Sequence, residues 1–498
     1  MNVNPITRLD YPDLDVIRVE DTYYMVSTTM HFMPGCEILQ SFDLVHWEHV
    51  TYVYETLDHT DAQQLKSGQN IYGQGMWVAS LRYHEGRFYI CFVANDTRKT
   101  YLYTSEKIDG PWKKQLIEGF YHDGSLLFDE DGRNYIVYGN DEIWITELNE
   151  DLTAPKKDGL HRLLVSDHKN PELGYEGSHI QKINGYYYIF LIHSLRDRWM
   201  RTEACFYSDS LEGEFTGGDV LCDDRGYCGQ GVAQGGIVDT PDGKWYAMLF
   251  QDSGAVGRIP ILVPVTWKDH FPVFGQNGHV PEEIEVHSTR PGYIYQPLVG
   301  SDDFCNGLLP RWQFNHDPDP RYYHLDALQG TYTITTREVC TELTQAVNTL
   351  TQRMSYPSCA AEVTVDASAL KEGDVAGLCA LQGCYAAVGI TKHHGKYEVL
   401  MLDKKEDGIL DMTERTVVES HQMDFRLEAD FCNMKDEARC YYRVNKGDWL
   451  PIGTVHKLYF KLDHFTGCRF GLFCYAAEET GGSACFRDFK YYDVDEIS

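Results

Sequence analysis

A short pattern recurs five times in the first 290 residues, and it limits the folds open to this chain more than any other feature. Each copy is a turn followed by an aromatic strand, and turn dipeptides such as Asp-Gly and Asn-Gly are typical of β-hairpins. The copies are EDTYYMV (20–26), EGRFYIC (85–91), DGRNYIV (131–137), NGYYYIF (184–190) and DGKWYAM (242–248). Their shared tyrosine recurs at intervals of 46 to 65 residues, which suits four-stranded propeller blades with loops of unequal length. The sequence therefore predicts an all-β chain that begins with a five-bladed β-propeller.

A second β-rich region follows the repeats. From SDDFCNGLLPRWQF onward, short alternating strands such as TYTITT, AAEVTVDAS and KYEVLMLD are separated by frequent turns. Many short strands with a period of two indicate a β-sandwich. We therefore predict a propeller over residues 1–290, a linker over residues 291–300, and a β-sandwich of jelly-roll or lectin type over residues 301–498.

The charge balance and the cysteine usage exclude several classes of partner. The 498 residues include 44 basic and 75 acidic side chains, for a formal net charge of −31, whereas nucleic acids and anionic membranes attract basic surfaces. The first residues have neither a basic stretch nor an apolar stretch of the kind found in signal peptides, and no run approaches about 20 apolar residues. The 15 cysteines form no CxxC pair and are expected to be reduced thiols. These features predict a cytoplasmic protein without nucleic-acid or membrane partners, and they leave a homo-oligomer open.

Candidate catalytic residues come from the register of the repeat. The innermost strand of a blade precedes the repeated turn, so the residues twelve positions before each tyrosine should meet at one mouth of the channel. These positions hold Trp77, Asp123, Glu176 and Gln234, and in the first copy Pro12 with Asp13 beside it. Cleavage of a glycosidic bond needs one protonated and one ionised carboxyl group. A third carboxylate near the acid raises its proton affinity by like-charge repulsion.

Each of these residues also has an ordinary structural interpretation. Asp13 and Asp123 are residue types that are common in turns, and Glu176 could lie in a solvent-exposed loop. Trp77 could pack in the core, and Gln234 could hydrogen-bond to backbone groups. Asp10 and Asp15 compete with Asp13 for the same role. The shared register of the three carboxylates favours catalysis over these alternatives.

The same segments resemble glycoside hydrolase family 43, the β-xylosidases and α-L-arabinofuranosidases. The likeness rests on YPDLDVIRVEDTYYMVST, GMWVASLRYHEGRFYICF, HDGSLLFDEDGRNYIVYG, YEGSHIQKINGYYYIF and GRIPILVPVTWKDHFPVFG, and it covers nearly all of the first 275 residues. The second region is similar to the sandwich appended to one subset of the family, in DDFCNGLLPRWQF, LTQRMSYPSCAAEVTVD and ACFRDFKYY. In that subset the sandwich packs on the propeller and completes the pocket with a loop.

The resemblance implies a role for each matching residue. Asp13 would be the general base, Glu176 the general acid, and Asp123 the residue that tunes and positions the acid. Arg258 would hydrogen-bond the terminal sugar and Trp77 would form a wall of its subsite. The family inverts anomeric configuration.

Several positions depart from the family pattern. Met30 stands where many members carry a pocket phenylalanine, and Phe32 is the expected substitute. Gln234 stands where many members have a histidine that contacts the substrate or a channel calcium ion, so no cofactor is expected to be required and no catalytic metal is assigned. A structural calcium ion in the sandwich, with Asp303 and Asp488 as ligands, is an open alternative to plain surface acids.

These inferences predict an exo-acting, inverting glycosidase that releases xylose or arabinofuranose from plant hemicellulose oligosaccharides. A retaining fructosidase is one alternative, although such enzymes carry an Asn-Asp-Pro context where this chain has YPDLD. A carbohydrate-binding protein with an inactive site is the other alternative, and the three carboxylates in register weigh against it.

Overall fold

The computed structural model describes residues 2–493, and its first part is a ring of five antiparallel sheets. The predicted tyrosines all lie on the second strand of their sheets. From the channel outward, the strands are Asp15–Val19, Thr22–Ser27, Gly35–Ser41 and Glu48–Tyr54 in blade 1; Met76–His84, Arg87–Ala94, Lys99–Ser105 and Lys113–Ile117 in blade 2; Ser125–Phe128, Asn134–Asn140, Glu142–Leu148 and His161–Ser166 in blade 3; Glu176–Ile183, Tyr186–Ser194, Arg201–Ser208 and Thr216–Leu221 in blade 4; and Val232–Ala233 with Ile237–Asp239, Trp245–Asp252, Arg258–Lys268 and Phe271–Phe274 in blade 5. The predicted five-bladed propeller is confirmed.

Apolar clusters between neighbouring blades hold the ring together. Because alternate side chains of a strand point to opposite faces, each sheet contributes apolar residues to the clusters on both of its sides. The ring closes between blade 1 and blade 5, where Val16 and Met25 pack with Tyr246, Met248 and Leu262. All five of these side chains are buried, so closure depends on side-chain packing between the first and last blades.

The top of each inner strand has an unusual backbone conformation. Asp13, Asp123 and Gln234 have φ values of 54°, 50° and 64°. These values lie in the left-handed region, which residues other than glycine rarely adopt. In blades 2 and 4 the residue after the predicted position, Val78 or Gly177, has the positive φ instead. Such strained positions concentrate at functional sites, and here they share one register around the channel mouth.

The second part is a sandwich of two antiparallel sheets. One sheet has the order Leu410–Val418, Lys396–Lys404, Ala386–His393, Val375–Leu381, Arg469–Tyr475, Leu350–Arg353, Gln313–Asn315 and Phe32–Met33, and the other has Tyr323–Asp326, Thr331–Thr335, Ser483–Asp493, Ser358–Asp366, Gln422–Asp430, Glu437–Val444 and Leu450–Lys457. Inward-facing residues of both sheets form one apolar core. The predicted β-sandwich is confirmed, and the last five residues of its predicted range lie outside the described residues.

The sandwich is docked on the propeller through shared structure. The short strand Phe32–Met33 comes from a loop of blade 1 and extends the sandwich sheet by pairing with Gln313–Asn315. Ala255 and Val256 of blade 5 belong to the sandwich core. Such continuity of sheet and core fixes the orientation of the two domains more firmly than a chain linker does.

Charged and hydroxyl side chains reinforce the same contact. Arg353 of the sandwich lies 2.8 Å from Glu37 of blade 1, and both side chains are buried. The predicted linker is attached to blade 1, because Tyr293 donates to Glu48 and the backbone N–H of Phe42 donates to the Tyr295 hydroxyl over 2.9 Å. Removal of one partner of a buried ion pair typically costs about 3–5 kcal/mol, so the interface resists separation.

Candidate active site

One side of the channel mouth is built around Asp13. Arg258, the first residue of the third strand of blade 5, donates from Nη1 to Oδ1 of Asp13 over 2.9 Å, and both side chains are buried. Phe465 of the sandwich covers this pair, with its ring centroid 4.2 Å from the guanidinium carbon of Arg258. A guanidinium is permanently charged and donates in a fixed geometry, so Arg258 holds the Asp13 carboxylate in position, and the Phe465 ring covers the guanidinium.

The opposite side of the mouth carries Glu176. Its Oε2 accepts a hydrogen bond from Nδ2 of Asn140 over 2.8 Å, and its side chain is 22% exposed. Nε2 of His122 lies 3.8 Å from Oε2 of Glu176 and 3.5 Å from Oδ1 of Asp123. Oδ2 of Asp123 accepts from the backbone N–H of Gly177 over 3.0 Å. Asp123 is thereby tied to the residue that follows Glu176.

Glycine is required at position 177. The φ value there is 66°, and a Cβ atom would lie 2.8 Å from side-chain atoms of Gln234. Because Glu176 and Gly177 interrupt the regular register between the first two strands of blade 4, the acid side chain is turned toward the mouth. The close approach places Gln234 of blade 5 directly against Gly177.

The electrostatic environment of the mouth shifts the pKa values of Asp123 and His122. Burial raises the pKa of Asp123 above its usual value, assisted by the nearby charges of Glu176 and Asp13, while His122 acts in the opposite direction. The charge of Asp123 in turn raises the pKa of His122, despite the burial of the imidazole. Strongly shifted pKa values in a cleft are typical of functional sites.

Nε1 of Trp77 and Nε of Arg258 are buried at this mouth and have no hydrogen-bond partner within residues 2–493. Beside them, Nε2 of His122 and Oδ1 of Asp123 contact each other at 3.5 Å. The Trp77 ring lies 5.4 Å from the Phe465 ring and 6.3 Å from His122, so it bridges the two sides of the mouth. Because buried polar groups are nearly always paired, this set of donors and acceptors around an aromatic wall fits a polyhydroxylated ligand such as a sugar.

The two competing aspartates near the start of the chain have structural roles. Oδ1 of Asp10 accepts from the backbone of Arg258 over 2.7 Å and Oδ2 accepts from the backbone of Gly467 over 2.8 Å. Asp10 therefore connects blade 5 to the sandwich.

Asp15 lies deeper, in the channel. It accepts from Arg82 over 2.7 Å and contacts Nδ1 of His179 at 3.2 Å. Burial alone would raise the pKa of Asp15, but Arg82 and His179 outweigh burial and hold the pKa below its usual value. Asp15 is therefore suited to balancing the channel charge of Arg82, and Asp13 is the aspartate at the mouth.

The remaining predicted contact residues lie at different depths. Gln234 is buried beside Gly177, and its backbone N–H donates to Glu203 over 2.7 Å. Met30 is buried and pairs with Met76, which precedes Trp77. Phe32 is brought to the domain interface, where the Arg469 guanidinium lies 3.4 Å from its ring centroid.

Three residues of the mouth were not predicted from the sequence. His122 directly precedes Asp123 in HDGS, so adjacency to a predicted catalytic residue was an available signal. Phe465 is more than 200 residues from its partner Arg258, and nothing local in the sequence marks it. Asn140, at the end of a blade 3 strand, likewise gave no signal.

His122, Asp123 and Glu176 are also the only group of three potential ligand atoms within 4.8 Å of one another in the described part of the chain. Asp303 and Asp488 are exposed and belong to no such group. The channel has its own positive charge, because Arg82 donates there to Asp15, to Ser125 and to backbone carbonyl groups.

Within residues 2–493, no helix is long and apolar enough to cross a membrane.

Comparison with known proteins matches both domains. The family model described as glycosyl hydrolases family 43 covers residues 3–272, and the model described as the β-xylosidase C-terminal concanavalin A-like domain covers residues 301–492. A β-xylosidase of Formosa agariphila is 27% identical over 99% of this chain and 89% of its own length.

Solved structures agree with these matches. A bifunctional GH43-CE protein of Bacteroides eggerthii superposes with a TM-score of 0.93 at 42% identity, and this chain, covered in full, spans 64% of that protein's length. An engineered GH43 glycoside hydrolase with endo-xylanase and exo-arabinofuranosidase activity superposes with a TM-score of 0.87 at 27% identity over 99% of both chains. The predicted resemblance is confirmed, and the chain belongs to glycosyl hydrolases family 43.

Proposed function

We propose that this glycoside hydrolase is exo-acting and inverting, and that it releases terminal xylose or arabinofuranose units from hemicellulose oligosaccharides. The observation that carries the proposal is the pair of unlike carboxyl environments across the mouth. Asp13 is buried against Arg258, whereas Glu176 is partly exposed beside Asn140 and His122. The substrate class is supported by relatives described as β-xylosidase and as non-reducing end α-L-arabinofuranosidase.

In the proposed mechanism, Asp13 accepts a proton from a water molecule as the water attacks the anomeric carbon. Glu176 donates its proton to the leaving oxygen on the opposite face of the sugar. Arg258 orients Asp13 and a sugar hydroxyl, and Trp77 packs against the ring. Inversion requires room for the water, so the two carboxyl groups should lie about 6.5–9.5 Å apart when substrate is bound.

The exo specificity is supported by the sandwich. Phe465 reaches over Arg258 from the second domain, where it would block a chain that extends beyond the terminal sugar. A closed end also excludes water and strengthens the electrostatic interactions inside the site.

Hydrolysis of a nitrophenyl β-xyloside and a nitrophenyl α-L-arabinofuranoside tests the sugar, and proton NMR of the first-formed anomer tests the stereochemistry. Activity on either glycoside with an inverted first product is expected. A retained anomer would contradict the mechanism, and the absence of hydrolysis would favour a carbohydrate-binding protein.

We also propose a cytoplasmic location, supported by the 15 unpaired cysteines, since cytosolic thiols are kept reduced. Cell fractionation tests this location.

A further inference from the structure

An exposed tryptophan lies on the rim beside the general acid. Trp199 is 42% exposed in the turn between the second and third strands of blade 4, at the same end of the blade as Glu176. Ser194, at the start of this turn, donates from its backbone N–H to the carbonyl of Leu173 over 3.0 Å, and Asn170 donates to the carbonyl of Ser194 over 2.9 Å. The turn is thereby fixed to the segment that leads directly into Glu176.

Arg201 supports the tryptophan from the protein side. Its guanidinium carbon lies 5.4 Å from the Trp199 ring and 5.3 Å from the Phe250 ring. Arg201 is 9% exposed, and its buried Nε has no hydrogen-bond partner within the described residues. Asp252 lies 3.3 Å from Nη1 of Arg201 and balances its charge, so the surroundings suit a neutral ligand and do not select an anion.

The same phenylalanine connects this rim to the base side. The Arg258 guanidinium lies 5.4 Å from the Phe250 ring, and Arg258 holds Asp13. A continuous series of stacked groups therefore runs from Arg258 through Phe250 and Arg201 to Trp199. The rim tryptophan belongs to the wall of the catalytic mouth and is separate from the opposite end of the channel.

We propose that Trp199, supported by Arg201, is the platform of the leaving-group subsite and stacks on the neutral sugar that follows the cleaved bond. The general acid protonates the glycosidic oxygen, so the leaving sugar must lie on the side of Glu176. One face of the indole is covered by Arg201, and an exposed aromatic face is suited to the apolar face of a sugar ring. This inference rests on the proposed function, because it assumes a glycosidic substrate.

The test compares two substrates that differ only in the leaving group. Steady-state kinetics are measured on a disaccharide of the released sugar and on the corresponding glycosyl fluoride, whose leaving group is too small to stack. For Trp199→Ala we expect kcat/KM on the disaccharide to fall about 10-fold, as expected for loss of an aromatic contact, and kcat/KM on the fluoride to stay within about twofold. Trp199→Phe should retain most of the activity on the disaccharide, because it keeps a flat ring.

The matched control is Tyr83→Ala. Tyr83 is 45% exposed and lies at the far end of an inner strand, at the opposite mouth of the channel, so neither substrate should be affected. Equal losses on both substrates in Trp199→Ala, or no loss on the disaccharide, would overturn the proposal. Failure of the proposed function is distinguishable because it appears in the wild-type enzyme, as absence of hydrolysis of both nitrophenyl glycosides, and it would remove this inference as well.

Discussion

The two sides of the catalytic mouth are built differently. The base side is assembled from blade 1, blade 5 and the sandwich, and Asp13 is buried there under Arg258 and Phe465. The acid side is assembled from blades 3 and 4, with Gln234 of blade 5 against Gly177, and Glu176 remains partly exposed beside Asn140. In the proposed mechanism, the added domain therefore completes the end of the site that would hold the terminal sugar and leaves the leaving-group end open.

This asymmetry matches the demands of the proposed chemistry. In the proposed mechanism the general base must hold the attacking water in place, whereas the general acid must leave room for the departing sugar, and both groups exchange a proton with solvent after each turnover. The buried partner of Asp13 is a permanent cation, while Asp123 on the acid side faces a titratable imidazole.

Replacement of Asp13 and Glu176, the proposed base and acid, should give different results with substrates that have different leaving groups. Asp13→Asn and Glu176→Gln should each lower kcat on a disaccharide by about 1,000-fold or more, because acid and base contributions act as a unit. With a glycosyl fluoride, which needs little protonation, Glu176→Gln should recover most of the activity and Asp13→Asn should not. Near-normal turnover of either variant on the disaccharide would show that the replaced residue is not catalytic. Equal recovery of both variants on the fluoride would show that the two sides do not have separate acid and base roles.

Loss of the Phe465 ring should affect the base side alone. We expect Phe465→Leu to lower kcat/KM about 10-fold, since a partly desolvated cation–π contact contributes up to about 2 kcal/mol. Phe465→Tyr keeps the aromatic ring and should stay close to wild type. Steady-state kinetics with thermal unfolding as a folding control check this expectation. Equal activity of the leucine and tyrosine variants would show that the sandwich acts only as a steric cover.

Removal of the Asp123 charge should change the pH dependence of the acid side. Burial raises the pKa of Asp123, so as the pH falls Asp123 takes up a proton earlier than an ordinary aspartate would. If its ionised form is needed, Asp123→Asn should move the acid limb of the kcat/KM profile to lower pH, together with a reduced maximum. An unchanged acid limb would contradict the tuning role. A pH–rate profile measured from about pH 4 to pH 9 is sufficient.

The smallest effect concerns the interface that supports the base side. Oδ1 of Asp436 in the sandwich accepts from the backbone N–H of Ala255 in blade 5 over 3.1 Å, and burial raises the pKa of Asp436 to about 6. The native state therefore binds more protons than the unfolded state between about pH 4 and pH 6, so this group's contribution to stability falls as the pH rises through that window.

Asp436→Asn should remove this dependence. At pH 7.5 the variant should melt about 1–2 °C above wild type, and at pH 4 the two should coincide, because the wild-type carboxyl is then mostly protonated. Thermal unfolding at the two pH values is the measurement. A lower melting temperature for the variant at pH 7.5 would show that the charged form stabilises the interface.

Local sequence patterns were sufficient to predict the five-bladed ring and the register of its inner strands. The turn-and-tyrosine repeat is local, because each copy depends on hairpin geometry and on alternation within one blade. Counting back from the shared tyrosine of each hairpin therefore predicts that Asp123 and Glu176 lie at one mouth. The sandwich was predicted on the same local grounds, from short alternating strands.

The tertiary structure decided which polar groups meet across blades and domains. Asp13 and Asp15 are two positions apart, and only the left-handed backbone at Asp13 and the placement of Arg82 and Arg258 separate the base from the channel residue. Phe465 reaches Arg258 only because the docked sandwich places it there. Contacts between residues hundreds of positions apart depend on how whole sheets pack, and local sequence patterns do not determine that packing.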